Sequence, residues 1–214
     1  MQAVELMVFD LDGTLVDSAP DLVAAGNFTR RALNLPGMDA RVIMSMVGDG
    51  TDKLVERLIG PEHQDLFSEA MTLFMNYYEN HLLDNTVLYP GVLEVLHFFS
   101  CKRKAMITNK RDIFTRTIAD HFHIADHFDV IVGVGKTSRR KPDALVLLPI
   151  LERYHVDPDL TVVIGDGIAD MNLAKNAGVK SCAVLNGFTP RDVLLALNPD
   201  FVCEELRDLK DIFC

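Results

Sequence analysis

A chain of 214 residues with a formal net charge of −10 has the wrong electrostatic balance for a nucleic-acid binder. Its 49% apolar content is enough for a real core, and no apolar run reaches the length of a membrane span. Cys101, Cys182, Cys203 and Cys214 form no CxxC pair and read as reduced, mostly buried thiols, while Met1-Gln2-Ala3-Val4-Glu5 has no basic segment or signal-peptide pattern; the expectation is a cytoplasmic monomer or homodimer.

The run Val4 to Phe9 predicts a buried strand, followed by Asp10-Leu11-Asp12-Gly13-Thr14. Ser18-Ala19-Pro20-Asp21 starts a helix to about Leu33, with Ser18 as its cap. A short helix over Asp39 to Met46, the turn Val47-Gly48-Asp49-Gly50-Thr51, a helix over Asp52 to Ile59 and a long helix over Glu62 to Leu83 follow. The pattern then alternates. Strands are predicted at Lys104–Thr108, Phe128–Val134, Leu160–Ile164, Ser181–Leu185 and Asp200–Cys203, with helices between them and one from Glu204 to Ile212. Pro149 either kinks or delays the helix expected after Pro142.

This alternation predicts an α/β fold, a doubly wound (Rossmann-like) parallel sheet core with an inserted all-helical cap domain. The expected division is a core of residues 1–15 and 88–214 and a helical block of residues 16–87. An insertion placed just after the acidic pair can close over the crevice as a lid.

Asp10 and Asp12, at i and i+2 on an extended backbone, project to the same side from the strand's carboxyl end, where open α/β sheets bind ligands. Burying two unpaired acids would cost several kcal/mol (roughly). Other strand ends bring Thr108-Asn109-Lys110-Arg111 and Gly165-Asp166-Gly167-Ile168-Ala169-Asp170 to the same rim, with Arg139-Arg140-Lys141-Pro142 before a helix. Two carboxylates about 4 Å apart repel by about 4 kcal/mol at an effective dielectric of 20, so Asp10, Asp12, Asp166 and Asp170 require raised pKa values or a cation. All-oxygen donors suit Mg²⁺, and Lys141 and Thr108 are natural phosphate ligands beside it. Lys110, Arg111, Lys136, Arg139 and Arg140 add local positive potential to an acidic protein.

Four stretches, Asp10-Leu11-Asp12-Gly13-Thr14, Ile107-Thr108-Asn109-Lys110, Arg140-Lys141-Pro142 and Gly165 to Asp170, together resemble the haloacid dehalogenase-like phosphohydrolases in order and spacing. Leu15-Val16-Asp17-Ser18-Ala19-Pro20, Asn176-Ala177-Gly178 and the Gly48-Asp49-Gly50 turn are similar to the phosphoglycolate phosphatase subgroup. The resemblance covers nearly the whole chain. It implies that Asp10 is a nucleophile forming an aspartyl-phosphate, and that Asp12 is general acid and then base, binding metal only through its backbone carbonyl. It implies Asp166 as the main second carboxylate on Mg²⁺ and Asp170 as a direct or water-mediated ligand. Thr108 and Lys141 then hold the phosphoryl oxygens, Asn109 and the Gly48-Asp49-Gly50 turn also bind substrate, and the substrate is a small phosphorylated metabolite such as 2-phosphoglycolate. Two departures stand out: Gly167 where many relatives carry Ser, and Asp143-Ala144-Leu145 without the further prolines common in the family.

Several local patterns have plainer readings. Gly133-Val134-Gly135-Lys136-Thr137 lacks the earlier P-loop glycine, since Val130 stands there, and is expected to be a basic loop. His121, His123 and His127 lack a completing zinc pattern and are expected to be solvated. Met44, Met46, Met71 and Met75 are expected to fill the core of the insertion. Gly48-Asp49-Gly50-Thr51 is either a simple cap made by Thr51 or a substrate loop whose amides bind a small carboxylate. Pyrophosphatase, sugar-phosphatase, nucleotidase and phosphosugar mutase activities are alternatives within the same chemistry. A non-catalytic phospho-acceptor or binding protein is the alternative outside it, disfavoured because that role needs neither a helical lid nor the Asp-x-Asp pair.

Overall fold

The computed structural model describes residues 1–135 and 139–214. Strands are β1 (Leu6–Phe9), β2 (Val16–Asp17), β3 (Val87–Leu88), β4 (Arg103–Arg111), β5 (Val130–Val134), β6 (Thr161–Gly165), β7 (Lys180–Val184) and β8 (Phe201–Cys203). Helices are α1 (Ala19–Ala32), α2 (Ala40–Met44), α3 (Thr51–Ile59), α4 (Phe67–His81), α5 (Val92–Phe98), α6 (Asp112–His121), α7 (Leu148–Tyr154), α8 (Ile168–Ala177), α9 (Arg191–Leu195) and α10 (Leu209–Ile212).

Six strands form a parallel sheet in the order β5-β4-β1-β6-β7-β8. Every residue of β1 is buried, which is why it reads as an unbroken apolar run. Its side chains divide between the two sheet faces. Leu6 and Val8 join a core with Ile150 and Leu151 of α7 and Leu173 of α8. Met7 and Phe9 join a larger core with Val95 and Leu96 of α5, Phe114 and Ile118 of α6, and Leu209 of α10. The sheet is therefore covered on both faces. From β1 the chain builds outward to β4 and β5 on one side and to β6, β7 and β8 on the other. That reversal opens a crevice at the carboxyl end of β1.

Helices α1 to α4 lie between β1 and β4 in the chain, and their apolar side chains, among them Ala25, Ile43, Leu58 and Phe74, are fully buried. The methionines Met44, Met46, Met71 and Met75 pack partly buried against this core. The segments that lead into and out of the block form an antiparallel pair, Val16 opposite Leu88 and Asp17 opposite Val87. Asp21, buried in the first turn of α1, accepts hydrogen bonds from the Asn85 and Thr86 amides, the Asn85 side-chain nitrogen and the Thr86 hydroxyl, at 2.8–3.0 Å.

The structure corrects several local expectations. Ser18 does not cap α1: its hydroxyl donates to Asp12, and Asp17 takes the Ala19 amide instead. Thr51 does not cap α3, whose cap position is Gly50. The long helix is divided into a 3-10 turn over Pro61–Leu66, itself broken at the non-helical His63, and α4. Pro149 sits in the first turn of α7, where a missing N–H costs nothing, so it delays the helix rather than kinking it. The final helix is a 3-10 turn followed by the short α10. Cys182 and Cys203 are buried but Cys101 and Cys214 are exposed.

Candidate active site

Backbone geometry at three strand ends brings the acids together. The Asp10 amide continues the ladder by donating to the Ile164 carbonyl, so Asp10 stands at the lip of the sheet beside β6. Gly13 has φ +84 and lies so near Asp166 that only a glycine fits the turn. Gly165, at the end of β6, and Gly187, beyond β7, are similarly crowded by the side chains of Asp170 and Asp166. The sequence glycines thus make room for carboxylates.

Carboxylate oxygens of Asp10, Asp166 and Asp170 lie within 4.8 Å of one another. Asp166 and Asp170 are buried and Asp10 is half-buried at the crevice. Asp166 accepts from the Thr14 hydroxyl at 2.8 Å and from the Phe188 amide at 2.7 Å. Asp170 accepts from the Gly167 amide at 2.9 Å, so Gly167 supports the cluster through its backbone. Lys141 bridges the group, with its ammonium 2.7 Å from Asp10 and 2.6 Å from Asp170. Both the Leu11 amide and Lys141 engage Asp10 at Oδ1.

One buried lysine does not balance three carboxylates. Burial, then the charges of Asp10 and Asp170, push the Asp166 pKa up to about 8. Burial and Asp10 push Asp170 up to about 7, against the pull of Lys141. Burial opposes the charge of Lys141, but Asp10 and Asp170 overcome it and hold its pKa above the ordinary lysine range. Excess negative charge, oxygen-only donors and mutual proximity fit a small divalent cation.

Asp12 is not one of the three clustered acids. Its carboxylate turns to Ser18 Oγ at 2.6 Å and to Lys110 Nζ at 3.0 and 3.1 Å. Thr108 and Asn109 are buried at the end of β4. Asn109 Nδ2 donates to the Gly48 and Lys141 carbonyls at 2.9 and 3.1 Å, tying the Gly48 loop to the sheet. Asp49 pairs with Arg57 of α3. Asp10, Asp12, Gly48, Asp49, Gly50, Thr108, Asn109, Asp166 and Asp170 all line one cavity of about 530 Å³. Apolar side chains of the helical block, including Leu22, Met44, Leu54 and Phe74, line the same space.

Of the other basic residues, Arg111 reaches out to Asp52 at 3.2 Å, and Arg139 is exposed. Lys136 and Thr137, which complete the P-loop-like pattern, lie outside the described residues. His121 and His123 are exposed and His127 half-buried, and none joins a metal-binding group among the described residues. Residue reading missed the Gly187-Phe188 contribution to Asp166 and the link from Lys110 to Tyr78 of α4. The signal for the first was present, since Asn186-Gly187 follows a strand that ends on the same rim.

A family model of haloacid dehalogenase-like hydrolases matches residues 7–184. A curated phosphoglycolate phosphatase from Chromobacterium violaceum is 35% identical over 219 residues, covering 99% of this chain and 97% of that protein. One from Nitrosospira multiformis is 35% identical over 212 residues, covering 96% and 93%. A solved structure from Haemophilus somnus, described as a predicted phosphoglycolate phosphatase, matches with a TM-score of 0.92 at 27% identity over 99% of both chains. With that family model spanning residues 7–184 and a curated relative 35% identical over 99% of the chain, this chain is an enzyme that belongs to the haloacid dehalogenase-like hydrolases.

Proposed function

We propose that the chain is a Mg²⁺-dependent phosphomonoester hydrolase working through an aspartyl-phosphate on Asp10, with 2-phosphoglycolate as substrate and glycolate and phosphate as products. The observation that carries this reading is the position of Asp10, open to the cavity, paired with Lys141 and beside two further buried acids. The Asp10 carboxylate attacks phosphorus and the bond from phosphorus to the alcohol oxygen breaks. Asp12 gives that oxygen a proton, then takes one from the water that cleaves the Asp10–phosphorus bond. Lys141 and Thr108 hold the phosphoryl oxygens, and Lys141 keeps Asp10 aimed. Asp10, Asp166 and Asp170 would hold the ion, with Asp12 contributing only its backbone carbonyl; when bound, Mg²⁺ supplies the positive charge that phosphoryl transfer requires.

Residues 1–15 and 88–214 act in this reading as the catalytic core, and residues 16–87 as the lid that selects substrate. The relatives named phosphoglycolate phosphatase support the two-carbon acid, as does the Gly48-Asp49-Gly50 loop lining the cavity from the block side. The cavity supports a second reading, since about 530 Å³ with apolar walls has room for a sugar phosphate or nucleotide. The reaction takes place on a small metabolite in the cytoplasm, in a monomer or homodimer; no helix among the described residues is long and apolar enough to cross a membrane.

A substrate panel with Mg²⁺ tests this: 2-phosphoglycolate, pyrophosphate, sugar phosphates and nucleotides. The expected result is clear preference for 2-phosphoglycolate and complete loss of turnover in Asp10→Asn. Preference for a larger phosphate favours the second reading, and full activity in Asp10→Asn removes the covalent mechanism.

A further inference from the structure

Lys110 and Tyr78 have no part in the reaction outlined above, yet both are buried, Lys110 against Asp12 and Tyr78 against Lys110. The Lys110 side chain is 4% exposed and Asp12 15%. Its ammonium contacts Asp12 Oδ1 at 3.0 Å, Oδ2 at 3.1 Å and the Tyr78 phenol oxygen at 2.7 Å. Three contacts account for the three donors of a lysine. The Tyr78 ring is itself fixed, stacked on Phe74 at 5.7 Å and edge-on to Phe114 at 5.2 Å. Phe114 belongs to α6 beside the sheet, so this tyrosine of the helical block is anchored on the sheet side as well.

A buried lysine with no chemical duty would be costly, and apolar residues of similar size would pack at least as well. The arrangement also distinguishes the two oxygens of Asp12. Oδ1 receives both Ser18 and Lys110, whereas Oδ2 receives Lys110 alone. We propose that Tyr78, acting through Lys110, is a positioning residue that fixes Asp12 with Oδ1 anchored and Oδ2 turned to the reacting alcohol. The tyrosine oxygen accepts from Lys110 and keeps the ammonium in place against Asp12. The proton carried by Oδ2 then passes to the alcohol oxygen as its bond to phosphorus breaks and the Asp10–phosphorus bond forms. This rests on the proposed role of Asp12, and Asp12→Asn is included to separate the two.

The test is single-turnover alcohol release by the full-length, Mg²⁺-loaded chain. Two substrates are compared: an alkyl phosphate such as 2-phosphoglycolate, whose leaving group needs a proton, and p-nitrophenyl phosphate, whose leaving group does not. Tyr78→Phe keeps the ring and its packing. It is expected to slow alkyl release about tenfold, leave p-nitrophenol release within about threefold and leave KM unchanged. In the Asp12→Asn background it is expected to add nothing. Equal loss on both substrates identifies a structural role and overturns the proposal. A change confined to KM identifies a substrate contact, and full additivity with Asp12→Asn shows independence from Asp12; either also overturns it. Undiminished alkyl release in Asp12→Asn overturns the acid–base role and the positioning role together, whereas hydrolysis of neither substrate by the unaltered chain overturns the phosphatase reading.

Discussion

Gly13 approaches the Asp166 carboxylate so closely that a Cβ on it would collide with Oδ2. Its φ of +84 adds a second objection to any side chain. Gly13→Ala is therefore expected to displace Asp166 rather than merely strain the turn, at a cost of about 1–3 kcal/mol in packing alone. Titration calorimetry with Mg²⁺ should show affinity weakened by tenfold or more (roughly). Affinity equal to that of the unaltered chain would show that Asp166 is not a ligand.

The pKa values near 8 and 7 of Asp166 and Asp170 make a signed prediction for the metal-free protein. Unfolded, both acids titrate near the ordinary aspartate value of 3.8. Folded, they hold their protons to higher pH, so between these limits the native state binds more protons than the unfolded one. Stability must then fall as pH rises from about 4 to about 8. Thermal melts in EDTA should decline across that window, and the gain on adding Mg²⁺ should grow with pH. A melting temperature that is flat from pH 5 to 8 without metal would contradict the charge overload.

Lys141 is the one cation within 3 Å of both Asp10 and Asp170 among the described residues. Lys141→Met removes it and leaves two acids without that partner. Breaking a buried pair from one side costs about 3–5 kcal/mol. Denaturant unfolding should show that loss, with turnover reduced at least a hundredfold (roughly). Because the remaining cluster is more negative, Mg²⁺ should stabilise the variant more than the unaltered chain. A smaller metal effect in the variant would argue against shared occupancy of the site by lysine and cation.

Asp21 holds the outgoing strand connection through Asn85 and Thr86 from inside α1. Asp21→Ala leaves buried donors without their acceptor, with a cost of about 1–3 kcal/mol for each group left unsatisfied. Unfolding should detect a loss of that order, whereas kcat measured on the fraction that remains folded should change little. A variant as stable as the parent would mean water replaces the carboxylate.

The sheet and its acids were legible because their signals are local. A fully apolar strand followed by Asp10 and Asp12, and a second one followed by Asp166 and Asp170, announce their own place at a sheet edge. Long-range partners were not legible. Asp21 has the composition of an ordinary helix start, and only the fold brings Asn85 and Thr86 to it. The β2–β3 pair spans two residues on each side, too few for any period to show. Lys110 stood out as positive charge and as the end of the Ile107-Thr108-Asn109-Lys110 stretch, but nothing local indicates that Tyr78, thirty-two positions earlier, meets its ammonium. The division at Pro61–Leu66 was missed because Glu62-His63-Gln64-Asp65 carries no apolar residue whose spacing could tell a 3-10 turn from an α-helix.

The pairing of Asp17 with Val87 has a consequence for how such a chain can be rebuilt. Strand partners stand about 4.8 Å apart, a gap that a two-residue hairpin turn closes. The whole helical segment thus leaves and rejoins the sheet region at a single point, and its removal calls for no new long linker. A foreign helical segment with closely spaced ends can be spliced at the same seam. Exchange at this seam carries away Ser18 and Tyr78, so a replacement segment must bring its own partners for Asp12 and for Lys110.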